Sequence, residues 1–115
     1  MTRSVVVSLL VGWQEDPFYY DFDDPEEYGH SIEEAGEQLQ LPPELVRELV
    51  IWDSEYQATY RPSDYRNSGF ASVAEEESWR ERGKALAQRI KQESPVVASV
   101  DYRAEGLHPK GWCVF

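Results

Sequence analysis

The hydrophobic positions of the chain form one short apolar run, three helical stripes and one alternating segment. Residues 4–12 are almost continuously apolar and rich in valine, which is typical of a central β-strand covered on both faces. Residues 96–103 alternate with a period of two and predict a second strand. Residues 112–115 would allow a last short strand after a turn region that contains Gly106, Pro109 and Gly111.

Three amphipathic helices are predicted between these strands. The first opens at a capping box made by Ser31 and Glu34 and runs to about residue 40. The second starts at Pro43, and the third opens at another capping box, Ser72 with Glu75, and ends before residue 95. The apolar stripes are Ile32, Ala35 and Leu39 in the first helix, Leu45, Leu49, Trp52, Tyr56 and Tyr60 in the second, and Trp79, Gly83, Leu86 and Ile90 in the third.

The order of these elements predicts the fold class. Residues 13–30 contain two prolines and no clean period, so we expect an acidic, aromatic loop there, and residues 61–69 are rich in turn formers. The order is then strand, loop, three helices, strand and a last optional strand. We therefore predict an α+β (or small α/β) fold, a single two-layer domain over residues 1–115. In it, about three helices pack on a small two- to three-stranded sheet.

Negative charge is concentrated in the first half of the chain. Residues 1–60 hold fourteen acidic and two basic residues, a net charge of −12, whereas residues 61–115 carry +1. Ten acids and no lysine or arginine lie between positions 13 and 40. A field of one sign attracts oppositely charged molecules and speeds their encounter, so we expect a basic partner.

The composition argues against several classes of protein. Nucleic-acid binding needs clustered basic side chains, and here the acids outnumber the bases two to one. The apolar run at residues 5–11 is too short to span a bilayer, and no signal-peptide cleavage site follows it. The lone Cys113 fits a reducing compartment. We expect a cytoplasmic protein with neither a nucleic acid nor a membrane as its partner.

Three carboxylates in the acidic segment raise the question of a metal site. Asp21, Asp23 and Asp24 lie within four residues, and Ca²⁺ prefers oxygen ligands. The spacing does not match a helix-loop-helix calcium loop, because no glycine follows at its sixth position and no glutamate at its twelfth. We predict no metal and no cofactor. An acidic loop that only keeps the protein soluble is the alternative.

No set of catalytic residues is recognisable. His30 and His108 lie in no known spacing with Cys113 or with a serine, and the chain has no glycine-rich phosphate loop. We therefore predict a protein that is not an enzyme. A small enzyme of an unrecognised type remains an alternative.

Aromatic and acidic residues are interleaved in the segment after Pro17. Tyrosine and tryptophan dominate the energetics of protein interfaces, and acids complement basic sites. The residues that we predict to bind a partner are Tyr19, Tyr20, Asp21, Asp23, Asp24, Glu26, Glu27 and Tyr28. In the alternative interpretation, Tyr19, Tyr20 and Phe22 anchor the loop on the core. Both interpretations are correct if alternate side chains of this segment face opposite sides, one toward the core and one toward a partner.

The overall character of the chain resembles the bacterial immunity proteins of contact-dependent and other polymorphic toxin systems. Those proteins are small, acidic α+β proteins without a catalytic set, and each binds and neutralises a cognate toxin. Three stretches also resemble parts of small actinobacterial proteins, a likeness over about residues 45–102 that implies no function: Trp52–Gln57, Asn67–Phe70 and Gly83–Ala87. The first resemblance implies a one-to-one complex with a toxin made in the same cell.

The resulting hypothesis is a non-enzymatic inhibitor of a basic, nuclease-type toxin. Carboxylates spaced like phosphates can pair with the arginine and lysine side chains that hold a nucleic acid, and so occlude the active site or a surface next to it. A small acidic accessory or regulatory subunit is the alternative from a different class. In that case the acids only keep the protein in solution.

Overall fold

The computed structural model describes residues 5–20, 28–60, 63 and 69–115, except for the side chain of Tyr28. These residues form four strands and three helices, which confirms the α+β prediction. The strands are β1 (Val5–Leu10), β2 (Phe18–Tyr20), β3 (Tyr28–His30) and β4 (Val97–Ala104). The helices are α1 (Ile32–Gln38), α2 (Pro43–Gln57) and α3 (Val73–Glu93).

The strands form one mixed sheet in the order β3-β2-β1-β4. The β1–β2 and β2–β3 pairs are antiparallel. β1 and β4 are parallel neighbours, and the chain passes through all three helices before it reaches β4. The interpretation of residues 13–30 as a loop is wrong for β2 and β3, and the described sheet therefore exceeds the expected two to three strands. Three-residue strands are stable here because each pairs with a neighbour and Phe18 and Tyr20 are fully buried.

Both capping boxes predicted from the sequence are confirmed. The Ser31 hydroxyl accepts a hydrogen bond from the Glu34 backbone N–H at 3.1 Å, and Ser72 accepts one from the Glu75 N–H at the same distance. These bonds satisfy backbone donors that the first turn of a helix leaves unpaired. Pro43 occupies the first turn of α2, and α3 ends two residues before Pro95.

The apolar stripes of the helices meet one face of the sheet. All the stripe residues of α1 and α3 are buried, as are Leu45, Leu49 and Trp52 of α2. Tyr56 is half-buried at the edge of this core, and Tyr60 lies beyond the end of α2. The interpretation of Trp52 and Trp79 as core residues is confirmed.

The first strand is central in the sheet, and its face away from the helices is buried at Ser8 but not at Val6. Val5, Val7 and Leu9 are buried toward the helices, whereas the side chain of Val6 is 53% exposed. The expectation of a strand covered on both faces is therefore wrong for Val6. The continuous apolar run did not reveal this difference, because alternate residues of a strand face opposite sides whatever their polarity.

The C-terminal residues continue the sheet beyond β4 without forming a full strand. Val114 makes an isolated antiparallel bridge to Asp101, and the backbones of Val100 and Phe115 exchange hydrogen bonds of 3.0 and 2.9 Å. The optional last strand is thus reduced to one bridge. Among the described residues, no helix is both long enough and apolar enough to cross a membrane.

Candidate protein-binding site

The eight residues predicted to bind a partner fall on β2, β3 and the segment between them. Asp21, Asp23, Asp24, Glu26 and Glu27 lie outside the described residues, and so does the side chain of Tyr28. The structure describes the side chains of the remaining two. Tyr19 and Tyr20 are adjacent on β2 and face opposite sides of the sheet.

Tyr20 belongs to the core, where its side chain is 0% exposed. Its ring stacks on that of His30 with the centroids 3.9 Å apart, and its hydroxyl donates to Gln38 Oε1 of α1 at 2.8 Å. Burial, with a smaller contribution from the negative charge of Glu34, raises the pKa of Tyr20 to about 12. Tyr20 therefore anchors the β2–β3 hairpin to the helices.

Tyr19 is half-buried and faces away from the helices. It pairs with Ser8 of β1 and with Gly29 of β3, and a Cβ atom on Gly29 would lie 3.5 Å from the Tyr19 ring. Burial raises the pKa of the Tyr19 hydroxyl, and the carboxylates of Glu15 and Asp16 raise it further. Tyr19 therefore lies in a field of negative charge.

The β1–β2 connection, residues 11–17, carries those two carboxylates and is fastened to the end of α2. The Gln57 side chain donates to the Gly12 carbonyl and accepts from the Gln14 backbone N–H, both at 2.8 Å. Trp13 stacks on Tyr56 with the centroids 5.6 Å apart and donates from Nε1 to the Thr59 hydroxyl at 3.0 Å. The exposed Glu15 and Asp16 are thus carried by an ordered loop.

A further carboxylate extends the acidic surface onto α2. Burial raises the pKa of Asp53, and a hydrogen bond from Gln57 opposes that shift. The negative charges of Asp16 and Glu33 raise the pKa of Asp53 further. Carboxylates of the β1–β2 connection, α1 and α2 are therefore close enough to repel one another, so a positively charged partner would be favoured there.

The chain matches the family described as Serratia CdiI immunity protein-like over residues 6–105. That match covers most of the chain. The chain belongs to this family of immunity proteins. Among curated proteins, none matches the chain.

Membership in the CdiI immunity family confirms the resemblance drawn from overall character. It supports a role in contact-dependent inhibition, in which the partner of an immunity protein is a cognate toxin. The match covers β1 from Val6 onward, β2, β3, β4 and all three helices, and it includes the connection that carries Glu15 and Asp16.

The structure adds candidate binding residues outside the eight predicted from the sequence. Trp13, Glu15, Asp16 and Asp53 were not among the residues predicted to bind a partner. Glu15 and Asp16 belong to the same run of ten acids, which was the available signal. Asp53 could not be found that way, because only the packing of α2 brings it near that run.

The two histidines and the cysteine considered for catalysis each make contacts that support the fold. His30 bonds through Nε2 to the Tyr20 carbonyl at 3.0 Å and pairs with Glu34. His108 lies beside Tyr102, and Cys113 is half-buried near the C-terminus. Among the described residues, no group of three or more His, Cys, Asp or Glu side chains could hold a metal ion.

Proposed function

We propose that this chain neutralises a basic, nuclease-type toxin by forming a one-to-one complex with it in the cytoplasm of the cell that makes both. The observation that carries the proposal is the family match over residues 6–105. The net charge of −11 supports a basic partner, because opposite charges accelerate association. The protein acts by binding and not by catalysis.

The proposed binding surface is the predicted acidic and aromatic segment together with the loop beside it. Tyr19 supplies a half-buried aromatic anchor, and Tyr20 holds the hairpin on α1. Glu15 and Asp16 add charge from the β1–β2 connection. The remaining proposed contacts are Asp21, Asp23, Asp24, Glu26, Glu27 and Tyr28. This surface would occlude the toxin's active site or a surface next to it.

The first test is protection from the toxin. The proposal requires a toxin gene beside the gene for this chain, and the toxin domain that it encodes is the probe, expressed with and without the chain in a sensitive host. We expect growth to stop with the toxin domain alone and to be restored with the chain. In vitro, the purified toxin domain should degrade nucleic acid, and inhibition should be complete at one equivalent of the chain. Continued killing at full expression of both proteins would contradict the proposal.

The second test is charge reversal in the acidic segment. The double variant Asp23→Lys with Asp24→Lys should slow association with the toxin domain by about tenfold or more and weaken its dependence on salt. Stopped-flow or surface-based kinetics at low and high ionic strength measure both effects. The matched control is Glu77→Lys with Glu81→Lys, which makes the same change in net charge on the exposed side of α3. Equal kinetics for the two double variants would show that Asp23 and Asp24 lie outside the interface.

A further inference from the structure

The pairing of the strands divides the sheet into two faces of different character. Residues paired across neighbouring strands share a face, so Phe18, Leu9 and Tyr102 form one row. The adjacent row lies on the opposite face and consists of Gly29, Tyr19, Ser8, Asp101 and Val114.

The three helices all contact the first of these faces. The Tyr102 hydroxyl donates to the Arg80 carbonyl of α3 at 2.8 Å, and the Tyr102 ring lies 6.3 Å from that of Trp52 in α2. Tyr20, which shares the face of Phe18, bonds to Gln38 of α1. None of the described helices therefore covers the second face, which we call the open face.

Three large apolar side chains are exposed on the open face or at its edge. Val6 lies two residues before Ser8 on β1, and its side chain is 53% exposed. Val114, which is in the same row as Ser8, is 51% exposed. Trp112 directly precedes Cys113, whose carbonyl accepts a hydrogen bond from the Tyr102 N–H of β4 at 2.8 Å, so Trp112 lies at the edge of the sheet. The side chain of Trp112 is 74% exposed. Exposed apolar residues that lie together mark interaction surfaces more often than scattered ones do.

The open face also carries negative charge. The carboxylates of Glu15 and Asp16 are close enough to Tyr19 of this row to raise the pKa of its hydroxyl. Farther along the row, Asp101 is only 6% exposed, and its Oδ2 accepts a hydrogen bond from the Gly111 N–H at 2.8 Å. Among the described residues, no donor reaches the buried Asp101 Oδ1. A positively charged partner would stabilise the exposed carboxylates of Glu15 and Asp16.

We propose that the open face is part of the toxin interface, with an apolar patch of the toxin packed on Val6, Trp112 and Val114. Basic side chains of the toxin lie opposite Glu15 and Asp16. The proposal rests on the proposed function and extends its surface from the acidic segment across the sheet. A second copy of this chain is a poorer occupant, because each copy carries a net charge of −11 and would bring the same carboxylates together.

The experiment compares two valine-to-lysine variants. Val6→Lys lies on the open face, whereas Val73→Lys lies at the start of α3, where the native side chain is 69% exposed. Both variants make the same change in charge at an exposed valine. Trp112→Ala provides a second variant of the open face that adds no charge. The probe is the purified toxin domain, with its nuclease activity removed by mutation, and calorimetry measures the dissociation constant.

We expect Val6→Lys and Trp112→Ala each to raise the dissociation constant by about tenfold or more, because central aromatic and apolar contacts dominate interface energetics. Val73→Lys should change it by less than about threefold. Far-ultraviolet circular dichroism and the melting temperature check that every variant is folded. Val6→Leu, which keeps the apolar surface, should bind like the native chain.

Each contrary result has its own meaning. If the native chain binds the toxin domain and both open-face variants match Val73→Lys, the open face is not in the interface, while the proposed function survives. If the native chain is a dimer in light scattering and Val6→Lys makes it a monomer, a second copy covers the face and the inference is wrong. If the native chain itself does not bind the toxin domain, both proposals are overturned.

Discussion

At the scale of single residues, Gly83 shows how tightly α3 approaches its neighbours. A Cβ atom at this position would overlap with the ring of Trp52 and with the hydroxyl of Tyr102. Both side chains are fixed, Trp52 by stacking on Trp79 and Tyr102 by its bond to the Arg80 carbonyl. The glycine is therefore required for packing, although glycine is unfavourable in the interior of a helix.

Gly83→Ala is expected to lower the free energy of unfolding by up to about 2 kcal/mol. Helix propensity alone would raise stability by about 1 kcal/mol, but overpacking a filled core costs about 1–3 kcal/mol. Urea unfolding measures the change. Lys84→Ala at the exposed neighbouring position is the control and should change stability little. A more stable Gly83→Ala variant would mean that the helices separate easily.

Asp53 is a carboxylate whose surroundings oppose its ionisation. Burial raises the pKa of Asp53, and the negative charges of Asp16 and Glu33 raise it further. The hydrogen bond from Gln57 lowers this pKa but does not cancel the rise. Because the folded protein holds this proton more tightly than the unfolded chain does, ionised Asp53 lowers stability above the raised pKa. The loss disappears at lower pH, where the carboxyl is protonated in both states.

Asp53→Asn should therefore stabilise the protein at pH 7 by up to about 1 kcal/mol, a value limited by solvent screening at this half-buried position. The gain should narrow as the pH falls through the raised pKa of Asp53. Melting temperatures between pH 3 and pH 7 (about one reading per half unit) follow this difference. Glu81→Gln on the exposed side of α3 is the control. A gain that is independent of pH would rule out the electrostatic cause.

At the scale of elements, α2 and α3 are joined by a reciprocal pair of tryptophans. Trp52 Nε1 donates to the Trp79 carbonyl at 2.9 Å, and Trp79 Nε1 donates to the Trp52 carbonyl at 2.8 Å. The two rings stack with centroids 4.6 Å apart. On the surface, Arg82 reaches Glu55 across the same pair of helices with two bonds of 2.7 Å. The buried contact should contribute far more than the exposed ion pair.

Trp79→Phe is expected to lower the free energy of unfolding by about 1–3 kcal/mol, because it removes a buried hydrogen bond and leaves a cavity. Arg82→Met, which breaks the exposed ion pair and keeps most of the side-chain length, should cost less than about 1 kcal/mol. Chemical unfolding of the two variants side by side measures the difference. Equal costs would show that the ion pair contributes as much as the tryptophan pair, and would contradict this prediction.

At the scale of the whole molecule, net charge governs behaviour in solution. The chain carries −11 at pH 7, and its calculated isoelectric point is about 4.5. Molecules of the same strong charge repel one another, and that repulsion vanishes at the isoelectric point. The charge that would draw in a basic toxin therefore also keeps the free protein dispersed.

Solubility is expected to be high at pH 7 and to pass through a minimum near pH 4.5. Light scattering during a slow acid titration locates that minimum. Adding about one equivalent of a basic toxin domain should move the minimum to higher pH, since the complex carries less negative charge. A minimum that does not move would indicate that no complex forms.

Local patterns were sufficient to predict the helices. The capping serines Ser31 and Ser72 act within three residues, and the stripe of Trp79, Leu86 and Ile90 follows the helical period. The strands β2 and β3 were missed, because three residues carry almost no pattern of their own. They form because β2 pairs with β1, β3 pairs with β2, and Phe18 and Tyr20 are buried, and the three-residue segments themselves show none of these contacts.

The α+β class, the helices and the acidic character that suggests a basic partner can all be predicted from the sequence, since these depend on periodicity, capping and composition. The parallel pairing of β1 with β4 and the different surroundings of the two neighbouring tyrosines depend on the tertiary structure. Tyr20 became a core residue and Tyr19 part of the open face, because alternate residues of a strand meet different neighbours. Which neighbours those are depends on contacts between residues far apart in the chain.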